Sequence, residues 1–339
     1  MSKKILIVGP AWVGDMVMAQ CLFKLLKQRD PDAVIDVLAP QWSLPLLARM
    51  PEVSASIVMP LVHGQLGLGE RYRLGKRLRA NHYDQAIVLP NSLKSALVPW
   101  WAGIPRRTGW RGEMRYLVLN DVRRLDKDRY PLMIERFMAL GLNRDEALPA
   151  DYPLPELQVS SVSSAAALTN HQLAHPTQPV LALCPGAEFG PAKQWPAEYY
   201  AAVANAKLEA GWSVWIFGSA KDNEIAERIA QATEQRAINL AGKTKLDEAI
   251  DLLSLASVIV SNDSGLMHIG AALHKPLIAI YGPTSAKFTP PLHKGANVLS
   301  LKLDCQPCFQ RICPLQHHRC MRELTPAAVL ASMDQACVF

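Results

Sequence analysis

Twice along this chain, short apolar runs alternate with segments of helical periodicity, and no other feature narrows the fold as far. In the first half, KKILIVG reads as a buried strand. Met16 to Gln28 follows as a helix with Val17, Cys21, Leu22 and Leu25 at helical spacing. VIDVLA is a second strand, ended by Pro40, and SIVMP a third. Leu68 to Ala80 reads as an Arg-rich amphipathic helix. DQAIVLP is a fourth strand, after which Ser92 can cap a helix starting near Leu93. The second half restarts the pattern. PVLALCPG, SVWIFGS, AINLAG, SVIVSND and PLIAIYG read as strands. Between them lie helices over Ala197 to Ala210, from Asp222 onward, over Leu246 to Leu255 and over SGLMHIGAAL. Strands separated by helices predict βαβ units and parallel sheets. The expected fold class is α/β, with two Rossmann-like, doubly wound domains facing a central cleft.

Length agrees, since 339 residues exceed one ordinary core and suit two domains of about 150 each. Residues 145–179 change character, with DEALPADYPLPELQ rich in Pro and acid and SSVSSAAALTNHQ after it. They read as a linker holding one short helix, so the domains are expected at 1–170 and 171–339. No stretch approaches the roughly 20 apolar residues of a membrane span. The apolar run Ile5 to Val8 is broken by Gly9 and Pro10, which favours a buried strand over a secretion signal.

Charge is uneven. Residues 1–130 hold 20 Lys and Arg against 11 Asp and Glu, or +9, while the remainder holds 16 against 19, or −3. A basic first half implies an anionic partner: nucleic acid, acidic lipid or a phosphorylated glycan. Its basic run comprises Lys94, Arg106, Arg107, Arg111, Arg115, Arg123, Arg124, Lys127 and Arg129, with Trp110 and Tyr116 interleaved. No nucleic-acid module accompanies it. Arginine also pairs bidentately with phosphate or carboxylate, and some of these residues are ordinary surface charges.

Four strand-to-helix turns carry candidate chemistry. In GPAWVGDM (9–16), Asp15 stands where a phosphate loop needs Lys, which disfavours triphosphate binding; GxGxxG is absent as well. Asp15 is either a general base or a first-turn carboxylate favoured by the helix dipole. In CPGAEFGPAKQWP (184–196), a glycine-rich loop and Lys193 can cradle a diphosphate. In SNDSGLMH (261–268), Asp263 or Ser264 can cap a helix whose N–H groups at Ser264, Gly265 and Leu266 face an anion. His268, one turn inside, is either a structural hydrogen-bonder or part of that site. In FGSAKDNE (217–224), Glu224 or Asp222 suits ribose hydroxyls, with helix capping the competing account for Asp222.

Seven cysteines are present, and Cys305, Cys308, Cys313 and Cys320 cluster as C-x2-C-x4-C-x6-C. Four thiols in 16 residues can bind zinc or an iron–sulfur cluster. The spacing fits no standard pattern, so reduced, partly buried thiols and no metal are the expectation.

GPAWVGDM, PNSLKSALVPWWAGIPRRTGWRGEMRY, CPGAEFGPAKQWP and SNDSGLMH together resemble glycosyltransferase family 9 over nearly the whole chain. The resemblance implies transfer of L-glycero-D-manno-heptose from ADP-heptose to the lipopolysaccharide inner core, with inversion and without a cofactor. PNSLKS and TGWRGEMRY tilt it toward the member that adds the second heptose, to heptosyl-Kdo2-lipid A; a transferase for the first or a later heptose is the alternative. It implies Asp15 as base, with Lys193, Glu224, Asp263, Ser264, Gly265 and His268 on the donor. Lys94, Arg106, Arg107, Arg111 and Arg115 are expected on the anionic acceptor, at the cytoplasmic surface of the inner membrane. No DxD pair is read after a strand, which favours a metal-independent reaction. The distant rivals are a nucleotide-linked oxidoreductase and an RNA-binding protein.

Overall fold

The structure is a computed structural model and describes residues 2–61 and 64–336. It divides into two compact units, Met1–Pro155 and Glu156–Phe339. In the first unit the order is β1 (Lys4–Val8), α1 (Val13–Arg29), β2 (Val34–Pro40), α2 (Leu44–Leu47), β3 (Ala55–Met59) and α3 (Leu68–Leu78). Then come β4 (Gln85–Val88), α4 (Leu93–Trp101), β5 (Arg106–Trp110), β6 (Asp121–Arg123) and α5 (Met133–Gly141). Among the described residues six strands pair in the order β3-β2-β1-β4-β5-β6, and every pairing is parallel.

Parallel sheets are covered on both faces, so their strands carry continuous apolar runs. KILIV meets that demand, with Ile5 to Val8 all buried. Helix α1 is buried from Met16 through Phe23, and it packs against α5. Each such Leu, Ile or Val contributes roughly 1.5–3 kcal/mol when fully buried. Strands β5 and β6 escape a reading by apolar runs because their sequences are RRTGW and DVR. Here a polar centre replaces apolar packing. Asp121 accepts from Arg106 at 3.2 Å, Arg123 at 2.9 Å and Arg144 at 3.1 Å, and Thr108 Oγ1 donates to it at 3.1 Å.

The second unit runs α6 (Ser161–Asn170), β7 (Val180–Cys184), α7 (Ala197–Glu209), β8 (Ser213–Ile216), α8 (Asn223–Ala232) and β9 (Ile238–Asn239). It continues with α9 (Leu246–Leu253), β10 (Val258–Asn262), α10 (Gly265–Ala272), β11 (Leu277–Ile280), β12 (Ala296–Leu299), α11 (Arg319–Arg322) and α12 (Pro326–Ala336). Its strands also pair in parallel, in the order β12-β11-β10-β7-β8-β9. Relative to its own first strand, each sheet has the 3-2-1-4-5-6 order of the dinucleotide-binding fold.

The short helix expected within 145–179 is α6, capped by Ser160 Oγ, which accepts from the Ser163 N–H. It packs on α9, where Asn170 Nδ2 and His171 Nε2 both contact Glu248 at 3.1 Å. Those contacts place 156–170 with the second unit, so the division falls at Pro155 rather than at 170.

Candidate active site

In each sheet the chain leaves the central strands in opposite directions, and ligands of such folds bind beyond the strand carboxyl ends at that divergence. In the second unit the divergence lies between β7 and β10. Asn262, the last residue of β10, ties its two loops together. Its Nδ2 donates to Pro185 O at 2.8 Å, and its Oδ1 accepts from Trp195 N at 3.3 Å and from Tyr200 Oη at 3.0 Å. Trp195 and Tyr200 are fully buried and meet edge to face at 4.8 Å, which anchors the end of the 184–196 loop. Gly186 is dictated by crowding, since a Cβ there would lie 2.8 Å from the Asp222 carboxylate. That carboxylate accepts from Ser219 N at 2.8 Å and Ser219 Oγ at 2.7 Å. Capping therefore accounts for Asp222. Glu224 is exposed in the first turn of α8.

Lys193 reaches across to the other loop. Its Nζ donates to Asp263 Oδ2 at 2.6 Å and to Asp263 O at 3.2 Å. Thr284 Oγ1 donates to the same Oδ2 at 2.6 Å. The Lys193 and Asp263 side chains are only 12% and 6% exposed, so this pair is largely shielded from water. Phe189 lies beneath the cation, with Nζ 4.8 Å from its ring centroid, and Arg311 sits 5.5 Å from the same centroid. The backbone holds Arg311 there: its carbonyl accepts from Ala192 N at 3.1 Å, and a Cβ on Gly190 would lie 2.6 Å from that oxygen. Asp263 thus spends one carboxylate oxygen on fixing Lys193. Thr284, Phe189 and Arg311 were not singled out in the sequence. Phe189 lies within the 184–196 motif and Arg311 within the cysteine-rich segment, but only the fold joins them and Thr284 to Lys193.

Ser264 caps α10, its Oγ accepting from Met267 N at 3.4 Å, and Gly265 opens the helix. His268 is 5% exposed. Burial pushes its pKa down to about 4, against an upward pull from Asp263 and with a further downward push from Lys193. The imidazole is therefore neutral at neutral pH. Its folded pKa lies below the ordinary 6.5. The unfolded chain takes this proton first as pH falls, so stability is full above 6.5 and is lost toward 4. Urea midpoints should drop across that window, and His268→Gln should flatten the drop. An unchanged slope in the variant would remove His268 as its source.

In the first unit Asp15 lies half-buried in the first turn of α1, six residues beyond Gly9, which follows the end of β1. The TGWRGEMRY segment folds back over the end of β4. Glu113 N donates to Asn91 O at 3.2 Å, and Glu113 Oε2 accepts from Leu93 N at 2.8 Å. Only glycine fits at 112, where a Cβ would stand 2.2 Å from Asn91 O.

The expected arginines fall in different settings. Arg115 is 1% exposed, and its guanidinium donates to Pro90 O at 2.6 Å, Asn91 Oδ1 at 3.1 Å and Trp110 O at 3.2 Å. It is a strut under this loop, not a group presented to a ligand, because the buried guanidinium spends its donors on three acceptors of the loop. Arg107 Nε donates to Val118 O at 2.7 Å, and Arg106 is held by Asp121. Arg111 remains exposed, bonded through Nε to Tyr116 Oη at 2.8 Å, and Lys94 is half-exposed. A DxD pair also exists after all: Asp126 and Asp128 follow β6, the strand that the sequence reading lacked. Asp126 Oδ1 accepts from the N–H groups of Asp128 and Arg129 at 3.0 and 3.1 Å, closing a turn.

Cys305, Cys308, Cys313 and Cys320 are free thiols, the first three half-buried and the last buried. Burial, then the neighbouring Cys305, Cys313 and Cys308, pushes Cys320 up to about 11. Among the described residues no group of three or more His, Cys, Asp or Glu is arranged to hold a metal ion. Cys337 lies outside the described residues.

The family model described as glycosyltransferase family 9 (heptosyltransferase) matches residues 71–319. Lipopolysaccharide heptosyltransferase 2 of Escherichia coli K12 is 49% identical over 98% of this chain and 97% of its own. Lipooligosaccharide heptosyltransferase 2 of Haemophilus influenzae is 50% identical over 88% of each. The solved E. coli ADP-heptose lipopolysaccharide heptosyltransferase II superposes with a TM-score of 0.89 at 47% identity, covering 99% of this chain and 98% of that one.

Proposed function

The chain belongs to glycosyltransferase family 9 and has its GT-B fold, and from that premise we propose that it adds the second heptose of the lipopolysaccharide inner core. L-glycero-D-manno-heptose moves from ADP-heptose to the heptose of heptosyl-Kdo2-lipid A, with inversion. The observation that carries this reading is the end-to-end identity of 49% to a heptosyltransferase 2, since it spans both units.

The acceptor hydroxyl attacks the anomeric carbon, the bond from that carbon to the diphosphate oxygen breaks, and ADP leaves. Asp15 takes the hydroxyl proton. Lys193, with Arg311 over the same ring, meets the charge that grows on the leaving diphosphate. The N–H groups at Ser264, Gly265 and Leu266 add to it from the start of α10. Asp263 and Thr284 keep Lys193 in place, neutral His268 packs beside them, and Glu224 takes the ribose. Residues 1–155 form the acceptor unit, in which Lys94 and Arg111 offer cations to phosphorylated Kdo-lipid A. Residues 156–339 form the donor unit. No helix among the described residues is long and apolar enough to cross a membrane. Because the proposed acceptor is lipid-anchored, the protein meets it as a peripheral enzyme at the cytoplasmic face of the inner membrane.

The test uses purified protein, ADP-heptose, and Kdo2-lipid A carrying no heptose or one. Product from the singly heptosylated acceptor alone is the expected outcome. Product from the bare acceptor would make the protein the first transferase, and no product from either would refute the acceptor assignment.

A further inference from the structure

Helix α3 buries one stripe and leaves another bare. Its inner side, Leu74, Gly75 and Leu78, packs on α4, where a Cβ on Gly75 would come within 2.6 Å of Trp101 Cβ. Its outer side carries Leu68, Tyr72 and Lys76, four residues apart and so one above another on the helix. Leu68 is 51% exposed and Tyr72 45%, although both are residues that usually seek cover. Tyr72 meets Trp101 edge-on at 5.7 Å, and Trp101 lies 5.8 Å from Trp100, itself exposed at the end of α4. Lys76 Nζ stands 5.6 Å from the Tyr72 ring. The result is one continuous aromatic strip with Leu68 at one end.

Charge says what the strip faces. From Leu66 to Asn81 the sequence holds Arg71, Arg73, Lys76, Arg77 and Arg79 against a single acid, Glu70, and α4 adds Lys94 without an acid. Arg73 pairs with Glu70, leaving Lys76, Arg77 and Arg79 as surplus exposed cations of this helix, with Lys76 on the Tyr72 ring and Arg79 Nε donating to Trp101 O at 2.9 Å. Buried Arg71 stiffens the base, donating to Leu66 O at 2.7 Å and Lys94 O at 3.1 Å. Trp and Tyr concentrate at the headgroup level of bilayers, and basic residues beside them are drawn to anionic lipid.

We propose that the Leu68, Tyr72 and Trp100 strip, with Lys76 and Arg79 beside it and Arg77 on the same helix, is the surface by which this protein docks on an anionic phospholipid bilayer. The assignment rests on the proposed peripheral-membrane reading and names the surface that would carry it; it does not depend on the transfer reaction itself.

The experiment is co-sedimentation of the full chain with vesicles of phosphatidylcholine alone or mixed with phosphatidylglycerol. The wild type should bind the mixed vesicles and release at high salt. Tyr72→Ser with Trp100→Ser, and separately Lys76→Glu with Arg77→Glu, should each weaken that binding by about tenfold or more. Circular dichroism should show both variants folded. Both should transfer heptose normally to a deacylated, water-soluble acceptor and poorly to one embedded in vesicles. Equal binding by wild type and variants, or equal wild-type binding to neutral and anionic vesicles, would overturn the assignment. So would a loss of self-association in the aromatic variant with vesicle binding unchanged, because the strip would then join two copies. Wild-type vesicle binding that the variants lose, with no heptose transfer by any form, would uphold the docking surface and sink the transferase reading alone.

Discussion

Asp15→Ala should lower kcat by about 10²- to 10⁴-fold, the usual worth of a positioned general base, with little change in the affinity for ADP-heptose. The residue stands in the first turn of α1, at the carboxyl end of the central strand β1. A first-turn carboxylate also interacts with the helix dipole, but that is worth only about 0.3–1 kcal/mol of stability. The two roles therefore separate cleanly. A base predicts collapse of kcat in a folded protein. A mere first-turn stabiliser predicts a small drop in melting temperature and near-normal turnover. Asp15→Asn sharpens the comparison, because it keeps the shape and removes the basicity. Single-turnover transfer at saturating donor is the measurement, and wild-type rates in Asp15→Asn would eliminate Asp15 as base.

Lys193→Ala should damage both turnover and folding. As a donor aimed at the leaving diphosphate, the ammonium is worth about 10²- to 10³-fold in kcat. Its removal also leaves Asp263 inside the fold without its cation. Truncating one member of a buried pair typically costs about 3–5 kcal/mol. The low end applies here, because Thr284 still donates to the carboxylate. Adding Asp263→Asn to Lys193→Ala should restore much of the urea midpoint and none of the transfer, since the stranded charge is gone and the cation is still missing. Recovery of transfer in the double variant would show that Lys193 serves the fold and not the leaving group.

The sheets were legible in the sequence wherever strands are covered on both faces. KILIV, VLALC and VIVSN announce themselves by apolar content alone. Strands β5 and β6 do not, because the fold stabilises that edge through Asp121 and three arginines. The site divides in the same way. Lys193, Asp263 and Ser264 sit in strand-to-helix turns, where local glycine and capping chemistry gives them away. Thr284 and Arg311 come from segments without such a signature, and tertiary structure alone brings them to Lys193. Arg115 misled for the opposite reason. A lone arginine in a basic run normally points to water, and nothing local reveals that Pro90, Asn91 and Trp110 would enclose it.

Each sheet draws its strands wholly from its own side of Pro155, and each begins with the strand that ends up at its centre. That order has a consequence for biosynthesis. Because β1 emerges first and β6 lies well before Pro155, the first sheet can be completed on the ribosome before any of the second has been translated. Domains fold as units during synthesis, the N-terminal one first. Among the described residues, the strands of the second sheet are thus not yet made when those of the first can pair, which limits mispairing between the two look-alike sheets.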